Sequence, residues 1–355
     1  MNAPLKPWYV SAEDFPEQGG ADEKLEFLIS YAVLAPSSHN TQPWMFRVHS
    51  NVLELFADLS RALPVADPQN RELIMSCGAA LKNLIIAIDY FGYAYRLEIC
   101  PDPDHPTFLA RVRLGFKTET FTEEILMFHA IQKRHTNRLP FREEPIPESL
   151  LATLQTVAQQ EGAWLDFVRD EDLRFAVADL IATADRMQWS DKAFRRELAD
   201  WLHSNRCAKR DGIPGYASGL GNLKARAQPL MVRTFDLGKG RAARDREIAI
   251  HSPVLALLRT EGDTIADWMH AGQALESVLL RARVEDVWAS FLNQPIEVGS
   301  LRTKLAETLG CSGFPQILLR LGFGSEVKPT PRRSVAQAMM RPSQSPVRVH
   351  LTHSL

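Results

Sequence analysis

The sequence has few cysteines, almost no net charge and no long uninterrupted apolar run. Its 355 residues include four cysteines, which lie far apart and match no zinc-binding spacing. We therefore predict reduced thiols, as in the cytoplasm, and no metal site. The 41 basic and 43 acidic residues nearly cancel, so the composition gives no reason to expect nucleic acid or an anionic membrane as a partner.

Other signals of membrane proteins, secreted proteins and common enzymes are also missing. The most apolar stretch, 73–91, is interrupted by Lys82, Asn83 and Asp89, which predicts a buried helix and not a membrane span. The segment 1–20 lacks the apolar core of a signal peptide. No glycine-rich dinucleotide fingerprint follows a predicted strand, and no Ser-His-Asp arrangement is recognisable.

A helical pattern occurs twice along the chain. "MSCGAALKNLIIAI" begins at Met75 and "MHAGQALESVLLRA" begins at Met269, and Gly78 and Gly272 keep the same offset. Apolar residues at three- and four-residue spacing predict a helix with a long buried stripe in each copy. The small residues at the start of each copy would allow a close crossing of two helices.

Two further similarities follow the same order. Trp44 and Trp164 each open an apolar run, "WMFRV" and "WLDFV", and "RLGF" ends a strand-like run at 113–116 and again at 320–323. Three collinear repeats predict an α+β fold duplicated in one chain. The first module is predicted at 1–130 and the second at 131–355, with the two central helices packed together like an intramolecular homodimer.

The second copy is longer than the first between its tryptophan and its central helix. This difference predicts an insert at about 171–262, whose middle, "DGIPGYASGLGNLKARAQPL", is rich in glycine with scattered proline. We expect a long irregular excursion there, since such loops in compact domains are often lids or binding loops. A lid over a site and a plain surface insertion are both compatible with this composition.

Two polar segments are candidates for binding. "PSSHNTQPW", 36–44, places six polar residues between two predicted buried elements, and Trp44 is predicted to belong to the core beneath them. In the extended segment 134–138, Arg134, Thr136 and Arg138 would point the same way and could cradle a phosphate. A solvated basic edge strand is the alternative for this segment. His39 is interpreted as a turn residue without a function.

Together with "RLGFG" and a following Pro-Arg-Arg, these segments resemble the FMN-dependent nitroreductase family. The tandem layout is most similar to its single-chain Acg-type branch, and the resemblance covers roughly 25–335. It implies a nitroreductase-like fold in each module. In that family two subunits share each flavin: one contributes the R-x-S/T-x-R segment and basic C-terminal residues to the phosphate, and the other contributes the P-S-S-x-N loop beside the ring.

Each half of this chain retains only one of those two elements. The first half has the P-S-S-x-N loop but no R-x-S/T-x-R, whereas the second half has 134–138 but "AQQEGAW" in place of the loop. The resemblance therefore implies one composite FMN site, with a main-chain N–H near flavin N5 supplied from 290–293, for which Asn293 is the candidate. The implied cofactor-binding residues are Pro36, Ser37, Ser38, Asn40, Gln42, Arg134, His135, Thr136, Arg138, Leu292, Asn293, Arg332 and Arg333.

The resemblance implies an FMN-dependent oxidoreductase. NAD(P)H would deliver hydride to flavin N5, and a small acceptor such as a nitroaromatic or a quinone would then take it, so no catalytic side chain is required. The alternative is a protein that binds or sequesters FMN with little turnover because a lid covers the ring. We expect a monomeric pseudo-dimer or a homodimer of it.

Overall fold

The computed structural model describes residues 3–340 and shows a mixed α and β architecture, as predicted. The α-helices are α1 (Ala21–Ala32), α2 (Arg71–Tyr90), α3 (Thr122–Ile131), α4 (Glu148–Gln160), α5 (Glu171–Ser190), α6 (Lys192–Trp201), α7 (Asn222–Thr234), α8 (Gly238–Ile250), α9 (Ile265–Val284), α10 (Gln294–Glu297), α11 (Gly299–Leu309) and α12 (Val335–Ala338). The strands are β1 (Trp44–His49), β2 (Val52–Ala57), β3 (Tyr93–Ile99), β4 (Phe108–Lys117), β5 (Trp164–Val168), β6 (Leu202–His203), β7 (Ile213–Pro214), β8 (Val254–Thr260), β9 (Val287–Phe291) and β10 (Phe314–Phe323).

The described chain contains two four-stranded antiparallel sheets with matching strand orders. The first sheet runs β1-β2-β4-β3 and the second runs β5-β8-β10-β9. Trp44 and Trp164 begin the corresponding strands β1 and β5, and the two copies of "RLGF" lie in the corresponding strands β4 and β10. The predicted tryptophan-led strands, central helices and closing strands are therefore present at equivalent places in the two halves.

The two sheets differ in what covers them. In the second sheet, Leu257 and Leu318 pack under α5, whereas their chain neighbours Leu258 and Leu319 pack under α4 and α9. Alternate residues thus bury opposite faces, which explains the continuous apolar runs "LALL" and "ILL".

The outer face of the first sheet carries charges instead. Glu54 lies opposite Arg47 on one side and Arg111 on the other, and Arg111 in turn lies opposite Glu98. Arg47 Nε donates to Glu54 Oε2 over 2.6 Å, and Arg111 donates to Glu98 over 3.0 Å. Opposite charges on directly paired residues stabilise an exposed sheet face modestly, so this face of the sheet needs no covering helix.

The helices α2 and α9 pack against each other through two glycines. A Cβ on Gly78 would overlap the main-chain oxygen of Met269, and a Cβ on Gly272 would overlap the main-chain oxygen of Met75. The contact is reciprocal, because each glycine follows the methionine of its own repeat by the same number of residues and meets the methionine of the other repeat. Within residues 3–340, α2 alone has the length and hydropathy of a membrane span, and most of it is buried in the protein.

The insert is largely helical, so the prediction of a long irregular excursion is wrong. It separates β5 from its partner strand β8 and consists mainly of α5, α6, α7 and α8. Its glycines and prolines concentrate in a shorter segment, 212–221, whereas α5 carries apolar residues at helical spacing that pack on the second sheet. The glycine-rich composition therefore indicates irregular structure only in this short segment and not across the whole insert.

The ends of the described chain cross between the halves. After β10 the chain returns to the first sheet, where Met339 forms a bridge with Phe46 beside β1. Near the other end, Trp8 Nε1 donates to the main-chain oxygen of Thr330 over 2.7 Å. The boundary predicted at residue 130 stays a prediction, and the end of the predicted second module, 341–355, lies outside the described residues.

The substitution Gly272→Ala tests the close helix contact. The added methyl group would meet the Met75 carbonyl, so we expect the free energy of unfolding to fall by about 1–3 kcal/mol, as for other overpacked cores. Gly240→Ala in α8 is the control, because no heavy atom lies within 4 Å of its added Cβ; it should raise stability by roughly 0.5–1 kcal/mol. Urea denaturation measures both, and equal effects would contradict the tight crossing.

Candidate functional site

The polar loop between α1 and β1 has an unusual backbone. His39, Asn40 and Gln42 have φ values of 51°, 56° and 54°, in the left-handed region that residues other than glycine rarely adopt. Each such residue costs of order 1–3 kcal/mol and persists only where surrounding contacts impose it. Three of them in one short loop therefore indicate a site that the rest of the structure holds in shape.

Gln42 and Arg333 fix the conformation of this loop through buried hydrogen bonds. The fully buried Gln42 side chain donates to the main-chain oxygen of Arg210 over 2.8 Å and accepts from the main-chain N–H of Arg333 over 2.7 Å. The Arg333 guanidinium donates to the main-chain oxygens of Gln42 and Trp44. Both residues were predicted to contact a cofactor. Neither lines the two cavities beside the loop, so their cofactor contact stays a prediction, and in this structure they hold the loop itself.

Asn40 ties the loop to two distant segments. Its Nδ2 donates to the main-chain oxygens of Gly212 and Pro331 over 2.9 and 3.1 Å, and its Oδ1 accepts from Arg332 over 2.8 Å. Gly212 belongs to the insert and Arg332 to the segment after β10. At the start of the loop, Ser37 Oγ accepts from the Gln42 N–H over 2.9 Å. The loop is thus fixed by the second half of the chain.

The segment 134–138 runs beside β9. The Asn137 N–H donates to the Ala289 oxygen over 3.0 Å, and Thr136 bridges to the same residue. This extended course was predicted. The alternative of a solvated edge strand is wrong for Arg134, because its side chain is buried between the main-chain oxygen of Leu34, at 3.1 Å, and Glu276, at 3.4 Å.

Two adjoining cavities lie between the loop and this segment. The inner cavity has a volume of about 290 Å³ and the basic cavity about 250 Å³. They adjoin each other, since both are lined by Pro36, Ser37, Thr136, Arg138 and Ile213. The basic cavity adds the predicted residues Asn40, Arg134, His135 and Arg332, and the inner cavity adds Ser38, Leu292 and Asn293. All predicted site residues except Gln42 and Arg333 therefore meet here.

The basic cavity has more hydrogen-bond donors than acceptors. Within the described chain the Arg138 guanidinium makes no ion pair and no hydrogen bond. Within the same part of the chain, the buried Nε of Arg332 and Nδ1 of His135 lack hydrogen-bond partners, whereas the Nε of Arg134 forms an ion pair with Glu276 at 3.4 Å. Burial, and then the charge of Arg241, lowers the pKa of Arg138 to about 10, which leaves it cationic at neutral pH. Such a cavity suits an anion with several oxygens, such as a phosphate.

The turn after β9 forms part of the wall of the inner cavity. The Leu292 N–H donates to the Leu318 oxygen over 2.9 Å, and Asn293 Oδ1 accepts from the Leu318 N–H over 2.9 Å. Asn293 Nδ2 donates to Glu72 Oε1 over 3.1 Å, and the Ser38 hydroxyl donates to the other oxygen of Glu72. The main-chain N–H of Asn293 has no partner among residues 3–340, so the turn presents one rigidly held donor.

Several residues of the inner cavity were missed by sequence reasoning. His39 lines it, and burial followed by the charge of Arg138 lowers its pKa to about 4, so it is neutral at pH 7. Glu72 and Glu297 also line it. Burial, and then Glu72, raises the pKa of Glu297 to about 8. No local pattern marks these acids, because their proximity depends on how α2 and α10 meet.

A third space, the vestibule, adjoins the inner cavity on the side of the insert. It has a volume of about 590 Å³, and all of its lining residues belong to the insert. It shares with the inner cavity Trp189, Ser218, Gln228, Val232, Arg241 and Arg244. Met231 and Leu237 at its wall are 43% and 40% exposed, so it lies between the inner cavity and the surface of the protein.

Comparison with other sequences finds relatives over most of the chain. No protein-family model matches it. "Putative NAD(P)H nitroreductase Rv3131" of Mycobacterium tuberculosis (strain ATCC 25618 / H37Rv) is 30% identical over 328 residues, which are 91% of this chain and 92% of that protein. "Putative NAD(P)H nitroreductase acg" of the same strain is 28% identical over 326 residues, covering 90% and 96% of the two chains.

Among solved structures the likenesses are partial. The FMN-dependent nitroreductase NfnB from Mycobacterium smegmatis in complex with NADPH overlays with a TM-score of 0.39 and 15% identity, covering 62% of this chain and 99% of that chain. Oxidized iodotyrosine deiodinase bound to FMN and 3-iodo-L-tyrosine gives a TM-score of 0.41 and 16% identity, covering 62% and 100%.

Proposed function

The chain belongs to the NAD(P)H nitroreductase family, and we propose that it is an FMN-dependent oxidoreductase with a single flavin held between its halves. Its relatives carry the name NAD(P)H nitroreductase. The observation that carries the proposal is the set of unpartnered donors, on Arg138, Arg332 and His135, at one end of two adjoining cavities. A flavin mononucleotide is matched to such a space, because it combines a dianionic phosphate with a flat ring system.

The residues present fit this cofactor. Arg134, Arg138 and Arg332 would bind the phosphate in the basic cavity, because hydrogen bonds between a guanidinium and a phosphate are stronger than those between neutral groups. Ser37 and Thr136 line the junction of the two cavities and would hydrogen-bond the ribityl chain. Bound FMN supplies hydride transfer at N5, between NAD(P)H and a small acceptor such as a nitroaromatic or a quinone.

The chain's own contribution to the reaction is orientation and electrostatics. The Asn293 N–H would donate to the ring and stabilise the negative charge that develops there on reduction, as a preorganised dipole does. The position of this N–H is set before any cofactor binds, because the side chain of Asn293 hydrogen-bonds to Leu318 and Glu72. No side chain need act as a nucleophile.

The single site follows from a proposed internal duplication. Matching strand orders in the two sheets and the reciprocal contact of Gly78 and Gly272 support descent from a family homodimer. The modules would be 1–130 and 131–355, with the insert at about 171–262 serving as a wall and lid for one site. We propose that one chain, as a monomeric pseudo-dimer, completes this site.

The vestibule favours turnover over FMN sequestration. If the insert sealed the ring, neither NAD(P)H nor an acceptor could approach it. Instead, the inner cavity shares lining residues with a larger space whose wall is partly exposed. A lid with such an opening would exclude bulk water while it admits small reactants.

Anaerobic mixing of the FMN-loaded protein with NADPH or NADH tests the proposed activity. We expect at least one nucleotide to bleach the visible absorbance of the flavin, and a nitroaromatic or quinone added afterwards to restore it. Free FMN mixed with the same nucleotides serves as the control for uncatalysed reduction. Stoichiometrically bound flavin that neither nucleotide reduces would contradict the enzyme and favour sequestration.

The substitution Arg138→Ala tests the phosphate end of the site. We expect FMN binding to weaken by about 2 kcal/mol, roughly 30-fold in Kd, because a charge-assisted contact is lost. Arg142→Ala removes the same charge four residues away, where the guanidinium pairs with Glu144 and is 66% exposed, and it should leave Kd nearly unchanged. Titration followed by flavin fluorescence measures both. Equal affinities for the two variants would mean that the phosphate lies elsewhere.

A further inference from the structure

Three helices of the insert present polar faces to the same space. On α8, the residues Arg241, Arg244, Asp245 and Ile248 follow the three- and four-residue spacing of one helix face, and all four line the inner cavity. Asp185, Gln188 and Trp189 do the same from α5, and Gln228 and Val232 from α7. The insert therefore does more than cover the second sheet.

Arg241 and Arg244 stand at the passage between the vestibule and the inner cavity. Both line both spaces. Neither guanidinium makes a hydrogen bond or an ion pair with any residue in the range 3–340. The Arg241 guanidinium contacts the Trp189 ring, whose centroid lies 5.6 Å from its central carbon. Two adjacent guanidiniums without an acceptor form a site for a small anionic group.

The acidic groups that face these arginines do not cancel them. Gln294 Nε2 donates to Asp185 over 3.4 Å and to Asp245 over 3.2 Å. Burial, and then the charge of Asp245, raises the pKa of Asp185 to about 7, so this pair carries less than its full negative charge at neutral pH.

Lys239 and Asp236 line the vestibule but not the inner cavity. The Asp236 carboxylate already accepts from the Gly238 N–H over 2.8 Å. Among the residues that line both spaces, Arg241 and Arg244 are the charged ones, and both are positive.

The remaining lining of the vestibule is mostly apolar, with Ser218 and Gln228 as its uncharged polar side chains. Leu220, Met231, Val232 and Leu237 line it beside the indole of Trp189. Apolar and aromatic walls with a few placed charges are typical of small-molecule sites, where the walls bind the body of the ligand and the charges orient it. The combination suits a planar ring that carries an anionic substituent.

We infer that the vestibule binds small planar acceptors that bear a carboxylate, with Arg241 and Arg244 holding the carboxylate at the passage and Trp189 facing the ring. This inference rests on the proposed function, since it names the class of acceptor that the flavin site would serve. It assigns substrate selection to the insert, which has no counterpart in the first half of the chain.

Binding in the absence of any nicotinamide tests the inference without requiring turnover. Calorimetric titration should show that the FMN-loaded protein binds para-nitrobenzoate at least about tenfold more tightly than para-nitrobenzamide, which has the same shape without the charge. Arg244→Gln, and separately Arg241→Gln, should reduce this preference to near unity. Arg246→Gln is the matched control, because Arg246 lies on the same helix but pairs with Asp179 at 2.7 Å, and it should retain the preference.

Steady-state kinetics then separate the carboxylate from the phosphates of the nucleotide. We expect Arg244→Gln to lower the ratio of kcat/KM for para-nitrobenzoate to that for para-nitrobenzamide about tenfold, with the ratio for NADPH to NADH unchanged. A changed nucleotide ratio with an unchanged acceptor ratio would overturn the inference, as would equal binding of the two acceptors by the parent protein. A charge preference in binding without turnover would support the vestibule while it contradicts the proposed oxidoreductase.

Discussion

Buried hydrogen bonds between the loop 36–42 and the second half of the chain are the constraint on which the site depends. The loop holds three non-glycine residues at positive φ, a conformation that an isolated segment would not keep. Asn40 and Gln42 are locked by Arg332, Arg333 and the main chain of the insert. Because the first half supplies the loop and the second half supplies its restraints, the two cavities exist only when both halves are folded together.

The insert serves the fold and the site with successive stretches of one helix, α5. On α5, Val177 and Ile181 pack into the core above the second sheet, whereas Asp185 and Trp189 line the inner cavity. The first sheet has no such cover and carries a charged outer face instead. Asymmetry between otherwise matching halves thus coincides with the position of the cavities, as the proposed single site requires.

Much of this arrangement could be predicted from the sequence, because the signals were local or repeated. The repeated apolar patterns that begin at Met75 and Met269 indicated the two central helices. The cluster of polar residues at 36–42 indicated the loop. What could not be predicted depends on tertiary contacts. Gln42 and Arg333 are residue types that often bind ligands, yet here they form buried hydrogen bonds with each other and so hold the loop. The roles of Glu297 and Arg244 likewise depend on which helix faces the cavity, which no short pattern encodes.

The number of flavins bound per chain tests the central claim, a single site shared between two dissimilar halves, most directly. FMN-free protein titrated with FMN to saturation, with the protein concentration measured independently, gives this number. The account predicts one FMN per chain at saturation. Two equivalents would mean that each half retains a complete site, and none would mean that the cavities hold something other than a flavin; either result would contradict the account.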